Sequence, residues 1–250
     1  SLLPNLCKAV VKNERYFDEF SIFETAQVFR DENYTSPYDP REKLPSQRKN
    51  VAGAFATTDK DITALFRKAK GVVEMMARYV HMETLTFRQT EKPVWADNVV
   101  WLNIYRGDEK VGDLALLAKK VSMVCGIKNM NVMLFQLDQD SLVPLKSRTN
   151  TFTHLAEYPM TDYDISLLVD GSVQWKDVAQ TVRGIKSELL HGAAFVDEYR
   201  GKQVPAGKKS LTLRLAIGSK DKTLTSAEIE EVASGVLNKI AKRFGAELRR

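Results

Sequence analysis

At 250 residues, with 44% hydrophobic and 28% charged side chains, the chain has room for two ordinary domains and is too apolar to be disordered. A net charge of +5 permits a polyanionic partner without requiring one. The longest uninterrupted apolar run, Leu114 to Ala118, is far short of the roughly 20 residues of a membrane helix, so no membrane partner is expected. Leu2 and Leu3 begin too short an apolar run for a secretory signal, and the opening Ser1 reads as a cut start. Cys7 and Cys125 lie in no zinc-ligand spacing and read as reduced packing residues, so no metal site is expected.

Leu3, Leu6, Cys7, Val10 and Val11 mark one face of a helix over 3 to 15, with Pro4 tolerated in its first turn. A strand follows at Phe20 to Arg30, and Asp31 to Gln47, holding Pro37, Pro40 and Pro45, reads as a long loop. Asp59 or Thr58 then caps a helix whose apolar face runs from Ile62 to Val80. Strands are expected at Thr84 to Arg88, Asn98 to Tyr105, Lys110 to Leu114 and Met130 to Leu137, with a helix at Leu114 to Cys125. Lys146 to Tyr158, polar and aperiodic, reads as a linker.

Beyond it the order is βαββαβ: a strand at Asp164 to Val169, a helix at Trp175 to Leu190, strands at Phe195 to Arg200 and Leu211 to Ile217, a helix at Ser226 to Phe244, and a last strand at Ala246 to Arg249. Thr225 and Glu228 offer a capping box to the last helix. This repeat predicts a four-stranded antiparallel sheet with both helices on one face and the other face open to a ligand. The fold class is therefore α+β: an antiparallel sheet with helices over residues 1–146, then a ferredoxin-like domain over 152–250.

Catalytic constellations fail on inspection. Gly207-Lys208-Lys209-Ser210 invites a phosphate-loop reading, but five residues separate Gly201 from Gly207, two lysines precede Ser210, and a strand follows where a helix is required. His81, His154 and His191 have no nucleophile at motif spacing and read as structural or solvent-exposed. No catalytic residue is expected.

Tyr158-Pro159, Asp164-Ile165, Leu168-Val169-Asp170, Val196-Asp197, Tyr199-Arg200-Gly201, Gly207 to Leu211, Thr223-Leu224-Thr225 and Phe244 to Arg249 together resemble the ferredoxin-fold anticodon-binding domain. Ahead of them, Ser1 to Pro4 with its helix, Phe23-Glu24, Val28-Phe29, Lys70-Gly71-Val72, Val111 to Leu114 and Phe135 to Asp138 are similar to the segment before that domain in bacterial phenylalanyl-tRNA synthetase β chains. The resemblance implies a non-catalytic C-terminal portion of a phenylalanine-tRNA ligase, a class II aminoacyl-tRNA synthetase of the cytoplasm with two α and two β chains. Its parent enzyme is implied to use ATP and Mg2+, with none bound by this segment and the working site on the α chain. The first domain is then a class II catalytic-like module without activity. Independently, no two glycines here stand one residue apart, so the Gly-x-Gly-x-Gly-x-x-Arg strand of class II ATP sites is absent.

The partners so implied are tRNA and the α chain. For tRNA the expected contacts are Tyr163, Tyr199, Arg200, Lys202, Lys208, Lys209 and Arg214, grouped on the two central strands and their return. At Tyr163 the family usually carries Arg, and tyrosine can stack on a base but cannot neutralise phosphate. For the α chain the expected contact is the face bearing Leu3, Leu6, Val10 and Val11, left exposed beside the chain start. Two alternatives stand: a free-standing RNA-binding or interaction protein built from the same two domains, and a single-chain synthetase, against which the missing glycine motif argues.

Overall fold

Leu3, Leu6, Cys7 and Val10 recur along one side of the first helix, α1 (Leu3–Asn13), and Pro4 occupies the first turn, where its missing N–H leaves no bond unmade. The computed structural model describes residues 1–35, 41, 43–80, 82, 84–142 and 158–249. His81, His154, Pro37, Pro40 and most of the expected linker fall outside them. The chain divides into two compact units, Ser1–Thr151 and Phe152–Arg250. None of its described helices is long and apolar enough to cross a membrane.

In the first unit six strands form an antiparallel sheet: β1 (Glu19–Thr35), β2 (Lys43–Thr57), β3 (Thr86–Arg88), β4 (Ala96–Arg106), β5 (Glu109–Leu117) and β6 (Asn131–Asp138), in the spatial order β1-β2-β6-β5-β4-β3. Alternation along the strands divides its core in two. Ala52, Ala54, Ala56, Val132 and Leu134 face α1 and the short α3 (Lys119–Cys125), whereas Phe55, Met133, Phe135 and Leu137 face α2 (Ile62–Tyr79) on the other side. Asp61 caps α2 by accepting from the Ala64 amide at 3.0 Å.

Three expectations are corrected here. Leu3, Leu6 and Val10 are not exposed: they retain 7%, 3% and 0% of their accessible surface, and Val11 packs against the same cluster. The small alanines of β2 let α1 lie close to the sheet, and that sheet is assembled from residues far along the chain. At both ends of the stretch Asp31 to Gln47, residues 31–35 and 43–47 are strand. β1 and β2 continue pairing through Asn33↔Pro45 and Thr35↔Lys43 after a bulge between Arg30 and Asn33, and Pro45 is tolerated because β6 joins β2 only from Asn50 onward. Leu114 to Leu117, helical by local pattern, completes β5 by pairing Leu114↔Phe135, Ala115↔Leu134 and Leu116↔Met133, so α3 begins only at Lys119.

The second unit is βαββαβ: β7 (Thr161–Asp170), α4 (Trp175–Arg183), β8 (Leu190–Tyr199), β9 (Lys208–Ile217), α5 (Ser226–Phe244) and β10 (Glu247–Leu248), with antiparallel sheet order β10-β7-β9-β8. Central β9 buries Leu211, Leu213, Leu215 and Ile217 completely, together with Ile165, Leu167 and Val169 of β7, Val178 and Val182 of α4, and Val236 and Ile240 of α5. Each leucine or isoleucine removed from water in this way contributes about 1.5–3 kcal/mol. Both helices therefore cover one face, and the other stays open. α4 stops at Arg183, short of the expected Leu190: Gly184 ends it and Leu190 already pairs with Ile217 in β8.

Two expected outcomes follow from these contacts. A Cβ added to Gly112 on β5 would lie 2.2 Å from the backbone oxygen of Gln136, which cannot swing aside. Gly112→Ala is expected to lower stability by about 1–3 kcal/mol in urea unfolding. At the start of α5, Thr225 Oγ1 accepts the Glu228 amide while Glu228 Oε2 accepts the Thr225 amide at 2.8 Å, and Lys222 pairs with the same carboxylate. Lys222 first, then Thr225, holds the Glu228 carboxyl down from 4.5 to about 2. A carboxyl depressed on folding stabilises above its unfolded value, and the contribution is lost as pH falls from 4.5 toward about 2. Glu228→Gln should flatten that acid limb of a thermal-unfolding profile.

Candidate nucleic-acid interface

Register decides what the open face of the second unit presents. Arg214 of β9 stands across from Asp164 of β7 and Ala194 of β8, so its neighbours on the same face are Asp162, Ser166 and Asp170 from β7, and Lys208, Ser210 and Thr212 from β9. A bulge between Phe195 and Asp197 shifts the phase of β8, bringing Asp197 opposite Thr212 and Tyr199 opposite Ser210. Glu247 of β10 joins them opposite Leu168.

Carboxylates hold most of the cations on this surface. Arg214 is clamped by Asp164 through two bonds, Nε to Oδ1 at 2.7 Å and Nη2 to Oδ2 at 2.8 Å, with Asp162 at 3.7 Å. The clamp keeps the Asp164 carboxyl below its usual range and raises Arg214 further. Lys208 Nζ reaches Glu247 at 3.1 Å, and Ser172, then Lys208, lowers the Asp170 carboxyl. Ser166 and Thr212 share a hydroxyl hydrogen bond of 2.8 Å at the centre of the face. Tyr199, 40% exposed, carries the guanidinium of Arg249 over its ring at 5.3 Å. Arg249 in turn donates to Gln203 at 3.1 Å.

The seven residues expected to meet RNA therefore separate. Arg214, Tyr199 and Lys208 share the open face. Arg200 turns back to Glu198 at 2.9 Å and to the Gly171 carbonyl at 3.0 Å, and Lys202 is exposed in the turn after β8. Two are corrected. Tyr163 packs into the helix-side cluster, in phase with Ile165 and Leu167. Lys209 is buried on that same side, in phase with Leu211, and its Nζ lies 2.7 Å from Glu198. Burial alone would raise the Glu198 carboxyl; hydrogen bonds from Lys209 and Arg200 outweigh it and lower it. Period-2 alternation already excludes Lys209 from the face that carries Arg214.

Sequence reasoning missed the carboxylates Asp162, Asp164, Asp197 and Glu247, and the cation Arg249. Asp162, Asp164 and Ser166 carry a signal, polar residues at period 2 opposite apolar ones, but their meeting with Arg214 needs the pairing register. With acids interleaved among its cations, the face attracts polyphosphate weakly. An aromatic ring under a guanidinium, flanked by hydroxyls and carboxylate acceptors, suits the faces and N–H edges of unpaired bases better than a phosphate backbone.

A profile described as the phenylalanyl tRNA synthetase beta chain CLM domain matches residues 1–139, and one described as the ferredoxin-fold anticodon binding domain matches residues 156–249. The phenylalanine–tRNA ligase beta subunit of Oceanobacillus iheyensis is 27% identical over 259 residues, covering 100% of this chain and 31% of that protein. That of Syntrophus aciditrophicus is 25% identical over 257 residues, again 100% of this chain and 31% of the relative. This chain thus spans under a third of the length of such relatives. A pyrrolysyl tRNA synthetase from Desulfitobacterium hafniense superposes over 57% of this chain and 48% of its own with a TM-score of 0.45 at 14% identity, too slight a likeness to bear on function.

Because Lys209 is structural, its loss should be read in stability. Lys209→Ala leaves Glu198 half-buried without its nearest cation and is expected to cost about 1–3 kcal/mol in chemical unfolding. Lys202→Ala, on the exposed turn, should change stability by less than about 0.5 kcal/mol.

Proposed function

This chain belongs to the phenylalanyl-tRNA synthetase β chain family, and from that premise we propose that it supplies a non-catalytic portion of such an enzyme, binding the anticodon side of tRNA through its second unit. The first unit acts as a class II catalytic-like module without chemistry of its own and carries the assembly contact with an α chain, in a complex of two α and two β chains in the cytoplasm. With Leu3, Leu6 and Val10 buried on the inner face of α1, that contact uses other surfaces of the unit. ATP and Mg2+ belong to the parent reaction. The class II glycine strand of ATP sites is absent from the sequence, and among the described residues no group of three or more His, Cys, Asp or Glu could hold a metal. No step of aminoacylation is assigned to this chain. Relatives that carry both units in one longer polypeptide favour this reading over a free-standing RNA-binding protein.

The observation that carries the RNA reading is the open sheet face, with Tyr199 beneath Arg249 and, farther along the same face, the clamped Arg214. Its pairing pattern changes the expected signature of binding. Each unpaired cation that neutralises phosphate adds about one unit to the slope of log affinity against log salt. With Lys208 and Arg214 already held by carboxylates, the slope should be shallow. Tyr199→Ala should weaken tRNA binding by about 1–3 kcal/mol with little change in slope, as lost base stacking does. Filter or fluorescence binding of unmodified tRNA to the whole chain at two salt concentrations checks this. Equal affinity of wild type and Tyr199→Ala would remove the open face as the site.

A further inference from the structure

One face of the first unit's sheet carries apolar side chains under α1 and polar ones beyond it. Arg48 and Asn50 of β2 share the phase of Ala52, and Gln136 and Asp138 of β6 share that of Leu134. Register sets Asn50 opposite Asp138, and Gln136 opposite Asp113 of β5. These five side chains, with Glu109 and Lys110, line a cavity of about 320 Å3, a size that suits a small ligand. Most polar groups around it already have partners. Lys110 is held by Asp113 at 3.1 Å and Glu109 by Arg106, and Asn103 donates to Asp113 at 2.6 Å. Gln136 Oε1 accepts from Ser1 Oγ and the Leu2 amide, and Asp138 Oδ1 from the amides of Asp140 and Ser141 at 3.1 and 3.3 Å. Two groups stand apart. Asn50 is only 3% exposed, and its carboxamide oxygen has no hydrogen-bond partner among the described residues. Arg48 is half-buried and meets no carboxylate among them. A buried acceptor without a donor is costly, and so is a guanidinium drawn from water without a counter-charge.

We propose that this cavity binds a small zwitterion, its carboxylate on the Arg48 guanidinium and an ammonium N–H donated to Asn50 Oδ1. A guanidinium offers paired donors in one plane, the geometry a carboxylate matches. Asn50 Oδ1 can only accept, so a ligand made solely of acceptors, such as sulfate, would leave it unmatched. Around the cavity the carboxylates Glu109, Asp113 and Asp138 outnumber the cations Arg48 and Lys110, so a ligand of net negative charge is repelled and the donor it needs is a cationic one. Arg48 and Asn50 rise from positions about 7 Å apart along β2, an interval the flexible stem of Arg48 can close onto a molecule of amino-acid size. The walls are polar apart from Val111 and Gly112, which favours a short or polar substituent over a ring. This site belongs to the first unit alone, and the RNA reading of the second does not bear on it.

Titration of the intact, nitrogen-15-labelled chain with L-serine, followed by NMR, tests this. Amides of residues 48–50, 110–113 and 136–141 should shift saturably, with a dissociation constant of about 0.1–10 mM for so small a ligand. Acetate, which lacks the ammonium, and glycine betaine, whose nitrogen carries no N–H, should each bind at least about tenfold more weakly. Arg48→Gln and Asn50→Leu should weaken serine binding by about tenfold or more. Asn50→Leu removes an oxygen that has no partner within the fold, so its unfolding temperature should not fall. Absence of saturable shifts with serine, equal binding of acetate or betaine, or undiminished serine binding by either variant would overturn the proposal. A lowered unfolding temperature for Asn50→Leu would assign that side chain to structure and overturn its place in the site.

Discussion

The alternation of β9 is the constraint on which the second unit depends. Leu211, Leu213, Leu215 and Ile217 can leave water only by turning toward α4 and α5, and Thr212 and Arg214 must then point away. Because β9 lies between β7 and β8, its phase is imposed on both neighbours through the register. It thereby assigns Asp162, Asp164 and Ser166 to the open side and Tyr163 to the closed one. Register shifts in β8 are the local exceptions, and the one between Phe195 and Asp197 carries Tyr199 onto the open face while Glu198 turns inward to meet Lys209. A slip of one residue in β9 would exchange its buried leucines for Arg214 and leave both sets of partners unsatisfied.

Charge on this face is organised by the same geometry. A patch of cations counted along the sequence looks basic, whereas in three dimensions Arg214, Lys208 and Arg200 each meet a carboxylate. Exposed pairs of this kind contribute little to stability. What they do is fix directions: a guanidinium held by two bonds to Asp164 presents its plane in one orientation, and a planar cation of that sort is a stacking surface as much as a charge.

Where local chemistry decides, the sequence is legible. The long helix α2, the Thr225–Glu228 box that opens α5, and the buried leucines of β9 all lie where period and capping put them, although the cap of α2 is Asp61 and not the expected Asp59 or Thr58. Lys209 was also readable, since it shares the phase of Leu211; counting it with the cations of the return set that phase aside. Elsewhere the deciding partner is remote. Leu114 to Leu117 is strand because Met133 to Phe135 lies alongside, and Pro45 lies in a part of β2 that pairs with β1 alone, before β6 joins. Carboxylates opposite Arg214 could not be foreseen without the register, and neither could the cover over α1.

That cover has a further consequence for how the first unit comes into being. Ser1 Oγ donates to Gln136 Oε1 at 2.8 Å and the Leu2 amide to the same oxygen at 3.0 Å, contacts spanning 135 and 134 positions. Leu134, in the same strand, closes the cluster beneath α1. A chain emerging in order makes α1 first and β6 long afterwards, so the helix waits undocked while everything between is synthesised. Its apolar stripe belongs to the unfinished chain and not to the folded one, and that interval is when a folding factor has access to it.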